Sequence, residues 1–101
     1  MKIITTSKAP KAIGPYSQAI KIDNLIFTSG QIPLDPKTNT IISDNFQEQV
    51  KQCLQNLQGI LNEESLSIHH IIKLTVYLID LSRFDELNQV FEDFFKDYYP
   101  T

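Results

Sequence analysis

Apolar and polar residues alternate most strictly over residues 71–79. Ile72, Leu74, Val76 and Leu78 share one side and Lys73, Thr75 and Tyr77, flanked by Ile71 and Ile79, the other, which predicts a strand whose first face carries helices. Residues 16–22 and 25–30 predict two strands joined by Asp23-Asn24, a pair that tolerates the positive φ of a tight hairpin turn. Residues 2–6 form a short candidate strand, 7–15 a loop with Pro10, Gly14 and Pro15, and 33–40 a turn-rich loop. From Asp44 the period becomes helical: Phe46, Val50, Cys53, Leu54, Leu57, Ile60 and Leu61 make one apolar stripe, and Asp44 with Gln47 resembles a capping box. Ser82, with Asp85 three residues later, is the expected cap of a second helix striped by Phe84, Leu87, Phe91, Phe94 and Phe95.

This order predicts a single α/β domain over residues 1–101, with a right-handed crossover from 25–30 to 71–79 and both helices on one sheet face. The opposite sheet face then either packs against other subunits or stays solvated as in many antiparallel sheets. A two-residue hairpin turn places Ile22 opposite Leu25, Ile20 opposite Phe27, Gln18 opposite Ser29 and Tyr16 opposite Gln31, all on one face. Tyr16 and Ser29 become diagonal neighbours about 7 Å apart, within reach of one small ligand.

Composition narrows the function classes. Net charge is −3, and the nine basic residues, Arg83 the one arginine among them, are scattered, which argues against a nucleic-acid partner. No apolar run reaches the ~18 residues of a membrane span, and the first ten residues carry no signal-peptide core, so the cytoplasm is the expected compartment and no membrane partner is expected. Cys53 excludes an internal disulfide and, on the buried stripe of its helix, reads as a small core residue. Glu48, Glu63 and Glu64 read as the wet side of the first helix, Arg83 as a surface charge, Lys73 as a sheet-face residue, and His69-His70 as a surface pair in a polar turn. Asn88 lies within the stripe of the second helix, so its amide is either bonded structurally or facing a polar site. The stretch FTSGQIP, residues 27–33, ends a strand in small hydrogen-bonding groups. On its own it reads most simply as a glycine-containing strand end before a proline turn, and alternatively as the floor of a small pocket.

Ala12-Ile13-Gly14-Pro15-Tyr16-Ser17-Gln18-Ala19, Phe27-Thr28-Ser29-Gly30-Gln31-Ile32-Pro33, Thr75-Val76-Tyr77-Leu78 and Asn88 with Phe94-Phe95 together resemble the Rid/YjgF family of reactive intermediate deaminases, its RidA branch in particular. The resemblance spans essentially the whole chain. It implies a chorismate-mutase-like (YjgF-like) mixed sheet with two helices on one face, assembled as a homotrimer with sites between subunits. It further implies hydrolysis of enamines and imines such as 2-aminoacrylate, 2-iminopropanoate and 2-iminobutanoate to 2-oxo acids and ammonia, without a metal or organic cofactor. The site positions it carries onto this chain are Tyr16, Ser29, Gly30 and Asn88, where Gly30 admits close backbone approach, Ser29 offers a hydroxyl and Tyr16 closes the pocket.

In the family a stretch like Tyr98-Tyr99-Pro100-Thr101 is followed by an arginine that grips the substrate carboxylate, then by two strands, the last carrying a glutamate that handles the attacking water. Neither residue is among the 101, so the catalytic residues of this chain stay unassigned, residues 71–79 are expected to lose a strand neighbour, and weak or no turnover is expected. The alternative function is a non-catalytic module that binds 2-oxo acids; ribonuclease or translation-inhibitor activity is a third, disfavoured by the acidic balance.

Overall fold

In a computed structural model describing all of residues 1–101, Asp23 takes a φ of 51° and turns the chain between two short strands, β2 (Ala19–Ile22) and β3 (Leu25–Thr28). They pair antiparallel with Ile22 opposite Leu25 and Ile20 opposite Phe27, the register expected from a two-residue turn. The first strand, β1 (Lys2–Ile4), pairs antiparallel with the other edge of β2, giving the order β1-β2-β3. Pairing continues one step past β2, where the Ser29 amide donates to the Gln18 carbonyl at 2.9 Å. The expected Tyr16–Gln31 pair does not form, because the Tyr16 amide donates instead to the Gly14 carbonyl, 2.8 Å away, in a turn.

One face of this sheet is core. Ile4 and Ala19 pack with Ala9 and with Ile60 of α1 (Phe46–Glu63), and Ile26 lies against them. The other face is apolar without cover. Ile3, Ile20 and Phe27 stand side by side across the three strands, Ile22 and Leu25 form the next row, and Phe27 is 61% exposed. A second cluster joins Leu54 of α1, Ile68 and Phe95 of α2 (Phe84–Phe95), with Ile71 and Leu74 packed against it. Cys53, expected in the core, is half-buried and belongs to neither cluster, and burial pushes its thiol up to about 11.

The helix starts differ from the sequence expectation by a residue or two. Asn45, not Asp44, caps α1, its Oδ1 accepting from the Glu48 amide at 2.9 Å. Asp80, not Ser82, caps a 3₁₀ turn, Leu81–Arg83, that runs straight into α2. Both regions offer adjacent capping side chains, and sequence spacing alone does not choose between them. Arg83 pairs with Glu86 at 3.2 Å and lies over the Phe46 ring, 5.3 Å from its centroid.

Residues 71–79 do not form the expected strand, and the three strands that do form pair antiparallel. The segment makes two backbone bonds to the last residue: Leu74 N–H donates to Thr101 O at 2.8 Å, and Thr101 N–H to Ile72 O at 2.9 Å. Alternation decides which side chains point inward, and Leu74 does reach the helices, but a ladder also needs a neighbour with free backbone groups.

Glu64 departs from its expected solvated place. Its side chain is 8% exposed at the end of α1 and takes Lys2 at 2.8 Å and Lys21 at 3.5 Å, tying the helix C-terminus to β1 and β2. The Lys2 hydrogen bond, with help from Lys21, lowers its carboxyl below the usual 4.5. A folded-state value below the unfolded one adds stability that is complete well above pH 4.5 and disappears as pH falls through the lowered value. Glu64→Gln is therefore expected to melt below the wild type at pH 7, with the gap closing on acidification. Thermal melts of both proteins between pH 7 and pH 3 check it.

Candidate functional site

The two motifs meet at the end of the hairpin. The loop before β2 and the chain after β3 enclose a crevice of about 50 Å³ to which Lys11, Tyr16, Gln18, Gly30 and Gln31 contribute, backed by apolar Ile32 and Leu34. A cavity needs on the order of 10–15 Å³ to hold one water, so this one has room for a few atoms of a small ligand. Tyr16 is held by its own turn. Its hydroxyl accepts from the Ile13 amide at 3.3 Å, and its ring lies so near Gly14 that an added Cβ there would come within 3.2 Å of it.

Of the four sequence-derived site residues, Tyr16 and Gly30 line this crevice. Ser29 adjoins it but turns its hydroxyl to the Ser17 carbonyl, 2.6 Å away. Asn88 is exposed on α2 and does not line this crevice. Gly30 is informative for what does not surround it. A Cβ built there meets no atom within 4 Å, and its φ lies outside the left-handed region, so neither packing nor backbone geometry within the chain demands glycine. The smallness is available to something arriving from outside.

Sequence reasoning missed three contributors. Lys11 is the one basic residue in the lining of the crevice, which includes no acidic residue and no histidine. Gln18 and Asn56 are buried amides that bond to the backbone around it. Gln18 was assigned to the hairpin face, but it lies beyond the first residue of β2, and its side chain turns into the loop of residues 6–10. No group of three or more His, Cys, Asp or Glu side chains converges to hold a metal ion, and no helix is long and apolar enough to cross a membrane. A wider, open hollow of about 410 Å³ lies between α1 and α2, lined by Gln47, Lys51, Gln89 and Asp93 among others, away from both motifs.

The family model described as Endoribonuclease L-PSP matches residues 6–101. The chain belongs to this family, the Rid/YjgF proteins. It is 46% identical over 100 residues to a RutC family protein of Pyrococcus abyssi, covering 99% of this chain and 79% of that one. The human 2-iminobutanoate/2-iminopropanoate deaminase is 39% identical over 100 residues, covering 99% of this chain and 73% of its own. Among solved structures, Escherichia coli TdcF with bound serine superposes with a TM-score of 0.94 at 42% identity, over 100% of this chain and 81% of TdcF. The Escherichia coli YjgF gene product gives 0.95 at 38% identity, with the same coverage of each chain. This Rid/YjgF protein thus has the α/β fold of its relatives, with a three-stranded antiparallel sheet and two helices.

Proposed function

We propose that this Rid/YjgF protein takes small 2-imino and 2-enamino acids, 2-aminoacrylate with its tautomer 2-iminopropanoate and 2-iminobutanoate, and releases 2-oxo acids. Water adds to the imine carbon, the C–N bond breaks, and nitrogen leaves as ammonia, so the balance needs one water and no oxidant or cofactor. The name and 39% identity of the human deaminase support the reaction class. The observation that carries the reading is the unfilled space at Gly30, on a crevice that Tyr16 and Lys11 also line. A planar anion of a few heavy atoms suits a site with little bulk and directed polar groups.

The proposed substrate-binding residues are Tyr16, Ser29, Gly30 and Asn88, working in a cytoplasmic homotrimer with sites between protomers. Support for assembly comes from the uncovered row Ile3–Ile20–Phe27 and from Asn88, which one protomer leaves outside its own crevice. We extend the proposal to the sheet: two further strands pair along residues 71–79, and an arginine after Thr101 and a glutamate in the last strand complete the site. A second reading, binding of 2-oxo acids without turnover, is favoured by the lack of a carboxylate or imidazole on the crevice.

The test is release of ammonia and 2-oxo acid from freshly generated 2-aminoacrylate, for the 101-residue chain and for a version continued with arginine beyond Thr101. Weak or no turnover is expected from the first and clear turnover from the second; equal rates would remove the role given to the arginine. Saturable pyruvate binding in calorimetry without hydrolysis by either form would favour the second reading. In the same assay Gly30→Ala is expected to abolish activity or binding while leaving the melting temperature unchanged or slightly raised, since fewer unfolded conformations are worth about 0.4–1 kcal/mol. An alanine variant as active as the wild type would take away the argument from the unfilled space.

A further inference from the structure

Neither the loop of residues 6–18 nor that of 30–34 belongs to the sheet ladder over most of its length, yet both must hold still to shape one crevice. Loop backbone shielded from water needs partners, and a primary amide supplies both a donor and an acceptor. Gln18 is 4% exposed. Its Oε1 accepts from the Thr6 amide at 2.7 Å, and its Nε2 donates to the carbonyls of Pro10 at 2.8 Å, Thr6 at 3.0 Å and Ala9 at 3.2 Å. Asn56, in the middle of α1, is fully buried. Its Nδ2 donates to the carbonyls of Leu34 at 3.0 Å and Ile32 at 3.2 Å, while Gln52 Nε2 donates to its Oδ1 at 2.8 Å and fixes which way the amide faces.

Pro10, Ile32 and Leu34, which receive these bonds, all line the crevice, as does Gln18 itself. Each of the two chain segments that form the wall is therefore tied by one buried amide, the first to the start of β2 and the second to α1. We infer that Gln18 and Asn56 are positioning residues: together they set the width of the crevice and so restrict it to small planar 2-oxo and 2-imino acids. The selectivity part rests on the function proposed above; the part about wall geometry does not.

The test replaces each NH₂ by oxygen, in Gln18→Glu and Asn56→Asp, so that carbonyls which received a hydrogen bond face another acceptor. Backbone amide exchange and the pyruvate Kd are measured for wild type and variants. Exchange is expected to speed up locally, over residues 6–18 in the first variant and 31–35 in the second, and pyruvate affinity to fall on the order of tenfold, since small misplacements of binding groups cost about that much or more. Acidification, which returns a proton donor to the introduced carboxyl, is expected to restore part of the protection. Gln18→Met and Asn56→Leu cannot show that recovery, and they replace the acidic variants in the other measurements if those fail to fold. Unchanged local exchange, or a loss of protection spread evenly over the chain, would overturn the inference and leave the amides a purely structural role. A version continued with arginine beyond Thr101 that does not bind pyruvate would instead count against the proposed function, with the exchange pattern still deciding how the walls are held.

Discussion

Phe95→Ala is expected to remove most of the margin by which this chain stays folded. Phe95 is fully buried where α2 meets α1, packed with Leu54 and Ile68 and edge-on to Phe91 and Phe94 with ring centroids 5.6 Å away. Truncating such a side chain costs about 3–5 kcal/mol, because lost transfer energy is joined by a cavity that rigid neighbours cannot close. A domain of this size has on the order of 5–15 kcal/mol in total. Only 14 of its 101 residues are buried, so little of the core remains to absorb the loss. The segment 71–79 would loosen with α2, since Ile71 and Leu74 rest on the same cluster. At fixed protomer concentration the melting temperature should fall on the order of 20 °C. A drop of only a few degrees would mean that the cluster is far more plastic than its burial implies.

Gly59→Ala should destabilise despite being a substitution that isolated helices favour. Gly59 lies inside α1, where alanine would gain about 1 kcal/mol of helix propensity. An added Cβ, however, would overlap the backbone carbonyl of Lys8, with the carbonyl carbon 2.8 Å away and Lys8 Cβ at 2.9 Å. Backbone at that contact cannot swing aside as a side-chain tip could. Moving it would pull the surroundings of Ala9 apart: Ala9 sits in the cluster with Ile60, and Thr6 and Ala9 are both bonded to Gln18.

 The overlap therefore outweighs the propensity gain, and overpacking of this kind typically costs about 1–3 kcal/mol net. A melting temperature lowered on the order of 10 °C is expected, while Gln55→Ala, at an exposed position of the same helix, should stay near the wild type. A Gly59→Ala protein as stable as its parent would show that the loop of residues 6–9 does not need its seat on α1.

What could be read from the sequence was what depends on neighbours along the chain. The hairpin register followed from Asp23-Asn24 and the alternation around it, and both helices followed from their stripes, including the place of Phe95. Features that join distant segments were not legible. Gln18 reaches back to Thr6, Asn56 reaches residues more than twenty positions earlier, and Glu64 meets Lys2 across 62 positions, and no periodicity marks such partners. Residues 71–79 show the reverse failure: their alternation is clear, but pairing depends on a second strand, which the pattern of one segment does not report. For the site, the two motifs were visible and do meet, whereas Lys11 sits in a loop whose path had to be known first.

Cys53 gives this protein a built-in reporter of its own packing. A thiol held up to about 11 and half-covered by α1 packing is almost entirely unreactive toward alkylating reagents at neutral pH, whereas the same group in a released chain returns to ordinary reactivity. With no other sulfhydryl to compete, labelling that slows on folding measures how far α1 packing protects this position.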